Sequence, residues 1–135
     1  AMGGSAGGFT TLGLLAAHGD VVTAGSVAYP VTDPVALGGV SHRFERYYAE
    51  RLAAPSDLRP DLDAVRGPLL VLQGADDVVV PASMTRAYVE RLCARGANVV
   101  YHEYEGEGHG WRRPETVADE LARASAFLAG LGSRL

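Results

Sequence analysis

The chain has 135 residues, 47% of them hydrophobic and 21% charged, with a net charge of −4. That composition fits one soluble globular domain burying about two-thirds of its unfolded surface, and the acidic balance leaves no basic face for nucleic acid. A single cysteine, Cys93, excludes an internal disulfide framework and a cysteine-based metal site, and no apolar run is long enough to cross a bilayer.

Ala1 before Met2 reads as a cloning remnant and is set aside. From Ser5 to His18 the apolar spacing of Phe9, Leu12 and Ala16 predicts a helix, with Gly19 just past its end. The β-branched, mostly apolar stretch from Val21 to Ala28 predicts a strand that Tyr29-Pro30 closes. Ser41 to Leu52 is charged and aromatic and reads as a helix outside the core; Pro55 to Pro68 reads as a loop. Leu69-Leu70-Val71-Leu72 is a continuous apolar run ending at Gly74, as expected of a strand buried on both faces. Ala82 to Arg95 predicts a helix with Met84, Tyr88 and Leu92 in one stripe and Gly96 as its stop. Cys93 falls within it, where an inert buried thiol is expected. Asn98 to Tyr104 predicts another strand. Pro114 suits the first turn of a last helix, with Val117, Leu121, Ala124 and Leu128 on one face. Strands alternating with helices point to an α/β fold, a parallel sheet flanked by helices.

Three loops lie at the ends of predicted strands, where such a fold places its chemistry. Gly3-Gly4-Ser5-Ala6-Gly7 fits G-x-S-x-G, in which a sharp strand-to-helix turn exposes a serine hydroxyl and the next amide, that of Ala6, faces a developing oxyanion. Gly74-Ala75-Asp76-Asp77-Val78-Val79-Val80-Pro81 offers a carboxylate just past a buried strand. Glu105-Gly106-Glu107-Gly108-His109-Gly110-Trp111 presents an imidazole between glycines. A serine needs a base to take its proton, and the imidazole needs a carboxylate to fix its tautomer. In chain order these loops give Ser, Asp, His, the order of an α/β-hydrolase. Alone, GGSAGG reads more often as a linker than as an elbow, and in an esterase or lipase-like hydrolase on such a fold Asp33, after the earlier strand, is a possible acid. His18, His42 and His102 lack comparable placement, and the four histidines show no metal-ligand spacing. GGSAGG also fails the dinucleotide fingerprint G-x-G-x-x-G, because Ser5 occupies the middle glycine position. No pattern calls for a metal or another cofactor.

GGSAGGFTTL, VLQGADDVVVP and EYEGEGHGW resemble the C-terminal catalytic region of the prolyl oligopeptidase family of serine peptidases, near its acylaminoacyl-peptidase and dipeptidyl-peptidase branches. The similarity runs from Gly3 to the last helix. It implies Ser5 as nucleophile, Asp77 rather than Asp76 as the acid because Val80-Pro81 sets the register, His109 as base, and the Ala6 amide in the oxyanion hole. It further implies peptide-bond hydrolysis, with Phe44, Tyr48 and Val80 near the specificity pocket; an esterase or lipase-like hydrolase on the same fold is the alternative. On this reading residues 1–135 form the C-terminal part of one catalytic domain, an α/β-hydrolase fold cut before the strand that leads into the elbow. Little activity is then expected from the chain alone, since a missing oxyanion donor costs about two to three orders of magnitude. The Val21–Ala28 strand would expose an edge inviting a homo-oligomer. A non-catalytic, self-associating fragment is the remaining reading. No signal peptide is visible, so a cytoplasmic location is expected.

Overall fold

Parallel pairing of four strands organises the chain, for which a computed structural model describes residues 1–38 and 60–132. The elements are β1 (Met2–Gly4), α1 (Ala6–Ala17), β2 (Gly25–Ala28), α2 (Pro34–Gly38), a 3₁₀ turn (Leu62–Ala64), β3 (Leu69–Gly74), α3 (Ala82–Ala94), β4 (Val99–Tyr104) and α4 (Pro114–Gly132). The sheet order is β1-β2-β3-β4, every neighbouring pair parallel. Parallel neighbours need a crossover between them, and the connections through α1 and α3 supply those between β1 and β2 and between β3 and β4. All the strands therefore end on the same side, where the three punctuated loops gather.

Period-two alternation along β2 and β3 divides the core. Val27, Leu69 and Val71 pack with Leu12 and Leu15 of α1 and with Tyr88, Val89 and Leu92 of α3. Ala28, Leu70 and Leu72 turn to the opposite face, where Ala124 of α4 and Tyr104 meet them. All six residues of β3 are buried, which is why it opens on the continuous apolar run Leu69-Leu70-Val71-Leu72. Fully burying each such leucine or valine contributes about 1.5–3 kcal/mol.

Several expectations need correction. The strand before Ser5 is present: Met2, Gly3 and Gly4 pair in register with Ser26, Val27 and Ala28. Ala1 belongs with it, its ammonium donating to the Ala24 carbonyl at 2.8 Å and its carbonyl accepting from the Ser26 amide at 2.9 Å. Three residues suffice because β2 supplies their partners, whereas periodicity in sequence cannot register so short a strand. The second strand is also shorter than expected, beginning at Gly25. The amides of Val21 and Val22 both donate to the His18 carbonyl, so they close the helix instead of extending a strand, and Val21 is 76% exposed. Since β2 is paired on both sides, it offers no free edge; among the described residues the edges of the sheet are β1 and β4.

Cys93 is exposed, not buried. It follows Leu92 by one position, about 100° round the helix, and the buried stripe runs through Thr85, Tyr88, Val89 and Leu92. In α4 only Ala124 of the expected apolar face is buried; Val117, Leu121 and Leu128 are exposed. The helix is rotated so that Ala124 and Phe127 meet the sheet, with the Tyr104 hydroxyl donating to Asp119 at 2.9 Å on one flank. The expected helix at Ser41–Leu52 and the first part of the Pro55–Pro68 loop, residues 55–59, lie outside the described residues. Of that loop, Leu62–Ala64 forms a 3₁₀ turn capped by the Asp61 carboxylate, and the buried Tyr88 hydroxyl donates to the Leu62 carbonyl at 2.9 Å.

Candidate active site

The first loop is a strand-to-helix turn with little room. A Cβ on Gly3 would sit 2.3 Å from the Gly7 carbonyl oxygen, so β1 and the first turn of α1 approach closely only because Gly3 lacks a side chain; a Cβ on Gly7 itself would meet nothing within 4 Å. Ser5 between them has φ 54° and ψ −120°, a conformation costing a non-glycine residue on the order of 1–3 kcal/mol. The surroundings hold it there: its amide donates to the Ala28 carbonyl at 3.0 Å, and its carbonyl accepts from Phe9 at 3.2 Å and Val31 at 3.1 Å. The turn lifts the hydroxyl above the sheet and leaves the Ala6 amide at the head of α1, a position with no intrahelical acceptor.

The second loop builds a carboxylate cradle. Asp77 has a fully buried side chain. Its Oδ1 accepts from the amides of Val79 and Val80, each at 2.8 Å. Its Oδ2 accepts from Gln73 Nε2 at 3.2 Å and lies 2.8 Å from His109 Nδ1. Gln73 is itself 0% exposed; its amide also reaches the Gly74 and Val80 carbonyls, and its Oε1 accepts from Thr85 at 2.8 Å. A buried amide left unpaired would cost on the order of 1–3 kcal/mol, so this network fixes the loop as much as the loop fixes Asp77. Sequence reading passed over Gln73 because a glutamine ending an apolar strand carries no motif.

The third loop carries the imidazole. His109 Nε2 lies 2.8 Å from Ser5 Oγ, so the imidazole spans from Asp77 to Ser5. Glu107, 0% exposed, anchors the loop: its carboxylate accepts from the Arg112 amide at 2.9 Å, the Arg113 amide at 3.1 Å and Arg113 Nε at 3.2 Å. The Arg112 amide is the first cause, with Thr116 and Arg113 assisting, of a carboxyl pKa lowered from 4.5 to about 2 against the opposing effect of burial. Gly74 makes the approach possible, since a Cβ there would lie 2.2 Å from the Gly108 carbonyl oxygen and 2.5 Å from that of Glu107. Gly74→Ala must therefore displace the His109 loop. We expect it to destabilise the chain by about 1–3 kcal/mol and to slow any reaction at Ser5, both read from one preparation by thermal melting and by labelling rate. A variant with unchanged melting and rate would show that the loop is not held by this contact.

A residue absent from the sequence expectations completes the site. Tyr29 has φ 39°, and its ring centroid lies 4.8 Å from that of His109 and 5.1 Å from that of Trp111. Burial, then the charges of Glu120 and Asp77, raise its phenol pKa. Its signals in sequence were its place at the end of a strand and the likeness of the surrounding AYPVTD segment to the family.

The other expected residues lie as follows. Val80 is 1% exposed and packs with Val31 and Leu37, so it contributes its amide to Asp77 while its side chain stays within the core. Phe44 and Tyr48 lie outside the described residues. Asp33, the alternative acid, caps α2: its Oδ1 accepts from Val35 and Ala36, each at 3.0 Å. Asp76 is exposed, its amide donating to the Glu107 carbonyl at 2.9 Å. Among the described residues no cluster of His, Cys, Asp or Glu is arranged to hold a metal ion, and no helix is long and apolar enough to cross a membrane.

Comparison with known proteins places this geometry. The chain is 30% identical over 149 aligned residues to dipeptidyl aminopeptidase BIII of Pseudoxanthomonas mexicana, covering 98% of this chain and 22% of that protein. It is 29% identical to the acylamino-acid-releasing enzyme of Arabidopsis thaliana, covering 85% of this chain and 17% of the relative. The crystal structure of a puromycin hydrolase superposes with a TM-score of 0.80 at 36% identity, covering 97% of this chain and 22% of that one. The chain thus spans about a fifth of the length of the curated relatives it matches. The family model for the prolyl oligopeptidase family matches residues 1–133, and with these relatives and an α/β-hydrolase sheet beneath its three loops, the chain belongs to that family.

Proposed function

We propose that the chain is the C-terminal catalytic part of a serine peptidase domain, hydrolysing peptide bonds through Ser5, His109 and Asp77. The observation carrying this reading is the continuous pair of 2.8 Å contacts from Ser5 Oγ through the imidazole to the buried Asp77 carboxylate. Ser5 Oγ attacks the scissile carbonyl carbon while its proton passes to His109 Nε2. The tetrahedral oxyanion faces the Ala6 amide and the N-terminus of α1, where the helix field favours negative charge. Collapse breaks the C–N bond as His109 returns the proton to the leaving amine. Water, deprotonated by His109, then cleaves the acyl-serine ester and releases the acid. Asp77 accepts from Nδ1–H throughout and stabilises the imidazolium. The printed activities of the relatives, a dipeptidyl aminopeptidase and an acylamino-acid-releasing enzyme, support a peptide or blocked-peptide substrate.

The expectation of little activity rested on a missing oxyanion donor and on an elbow without its strand. With β1 paired and Ser5 held from three sides, we expect Ser5 to react with a fluorophosphonate probe, read as one probe mass on the intact chain and none on Ser5→Ala. Peptide turnover is expected to be about two to three orders of magnitude slower than with two oxyanion donors, if Ala6 alone serves. An unreactive wild-type chain that melts cooperatively would overturn the nucleophile assignment. Self-association is part of the same proposal, now through β1 or the exposed Leu121–Leu128 flank of α4 instead of β2; a monomer by light scattering at high concentration would refute it.

A further inference from the structure

We propose that Tyr29 is a positioning residue that couples the nucleophile to the base, an inference that rests on the reading of Ser5 and His109 above. Its backbone and the Ser5 backbone interlock. The chain on either side of Tyr29 supplies two of the contacts that fix the elbow, the Ala28 carbonyl to the Ser5 amide at 3.0 Å and the Val31 amide to the Ser5 carbonyl at 3.1 Å. The Tyr29 amide is tied to the third strand, donating to the Leu72 carbonyl at 2.7 Å. Among the described residues Ser5 and Tyr29 are the two non-glycine residues with positive φ, at 54° and 39°. Two strained residues braced against one another at one site point to function more than to tolerance.

The ring does the second half of the work. It lies over the elbow strand: a Cβ on Gly4 would stand 3.0 Å from Tyr29 Cε2, so the glycine before Ser5 leaves the ring its place. From there it meets the imidazole at 4.8 Å with a 58° tilt, and Trp111 supports it edge-on at 5.1 Å and 75°. Both nitrogens of His109 are engaged, Nδ1 by Asp77 and Nε2 by Ser5. Those two contacts leave the imidazole free to rock about the line joining them, and the Tyr29 ring is a neighbour placed to stop that motion. An aromatic ring beside the imidazole also favours its charged form, the form that proton transfer from Ser5 creates. The phenol hydroxyl has no part in either effect, so ring and hydroxyl are separable by substitution.

The test uses the full chain and a fluorophosphonate, with the second-order rate constant of Ser5 labelling followed across pH by intact mass. Tyr29→Phe keeps the ring and is expected to react within about twofold of wild type. Tyr29→Leu keeps apolar volume without the ring, and is expected to react about tenfold more slowly, with its pH profile displaced to lower pH by about 0.5. A simple packing defect would lower melting temperature without moving that profile. Equal rates and profiles for Tyr29→Leu and wild type would overturn the proposal. Should Tyr29→Leu fail to fold, Trp111→Leu removes the ring's edge support and is expected to slow labelling several-fold; a wild-type rate there would overturn it equally. An unreactive wild-type chain would instead remove the nucleophile assignment, and this role with it.

Discussion

Asp77→Asn is expected to lower Ser5 reactivity and peptide turnover by about 10⁴-fold, while Asp33→Asn leaves both unchanged. The reason lies in which atoms Asp77 satisfies. One oxygen takes two backbone N–H groups, and the other takes Gln73 and faces His109 Nδ1. An asparagine has a single acceptor oxygen. The two Val79 and Val80 amides claim it, which turns the NH₂ group towards His109. Facing a donor, the imidazole carries its proton on Nε2 and can no longer accept one from Ser5. The side chain keeps its volume, so the loop keeps its shape and the loss falls on proton transfer. Asp33 serves as a helix cap, a role asparagine fills equally well. Fluorophosphonate labelling of the two variants and wild type, each checked for cooperative melting, measures the contrast. Equal labelling of Asp77→Asn and wild type would mean that His109 is oriented by something else.

Glu107→Gln carries the second large effect, on the integrity of the His109 loop. The carboxylate is the shared acceptor for two backbone amides and the Arg113 guanidinium, and Arg113 also donates to the Glu105 carbonyl. An amide in its place has one acceptor oxygen where three donors converge, and its own NH₂ then faces donors. We expect melting to fall by about 5 °C or more, with slower Ser5 labelling because the backbone of Glu107 also receives the Asp76 amide beside Asp77. The pH dependence has a definite sign. Because the folded carboxyl titrates near about 2 instead of 4.5, its stabilisation is fully present above pH 4.5 and is lost as the pH falls through about 2. Wild-type stability should therefore decline in that acid window, and the decline attributable to this group should be missing from Glu107→Gln. Parallel acid limbs for the two proteins would exclude Glu107 as the source.

Much of the site was legible in the sequence because its chemistry is punctuated. Ser5, Asp77 and His109 each sit beside glycines or a proline, at the end of an apolar run, and the order of the three loops fixes the hydrolase topology. The parallel sheet was equally legible, since β3 opens on four consecutive apolar residues and the helices between strands carry their own period. Backbone residues acting through position were not. Met2–Gly4 is too short to show a period, and it is a strand only because β2 provides a partner in register. The burial of Val80 depends on its loop packing against Val31 and Leu37, and the rotation of α4 and the exposure of Cys93 on which arc of each helix meets the sheet. Apolar spacing fixes that only to within a residue or two.

The sequence by itself determined the alternating fold and which three loops carry the candidate residues Ser5, Asp77 and His109, because strand burial, helical period and glycine-flanked turns are local properties. The tertiary structure alone decided that Glu107 and Gln73 are buried clamps and that Asp33 is a cap. It also decided that Tyr29 stands against the imidazole. Those roles arise from groups as far apart in the chain as Ser5 and His109 being brought within 2.8 Å, where low exposure makes each unsatisfied donor or acceptor costly.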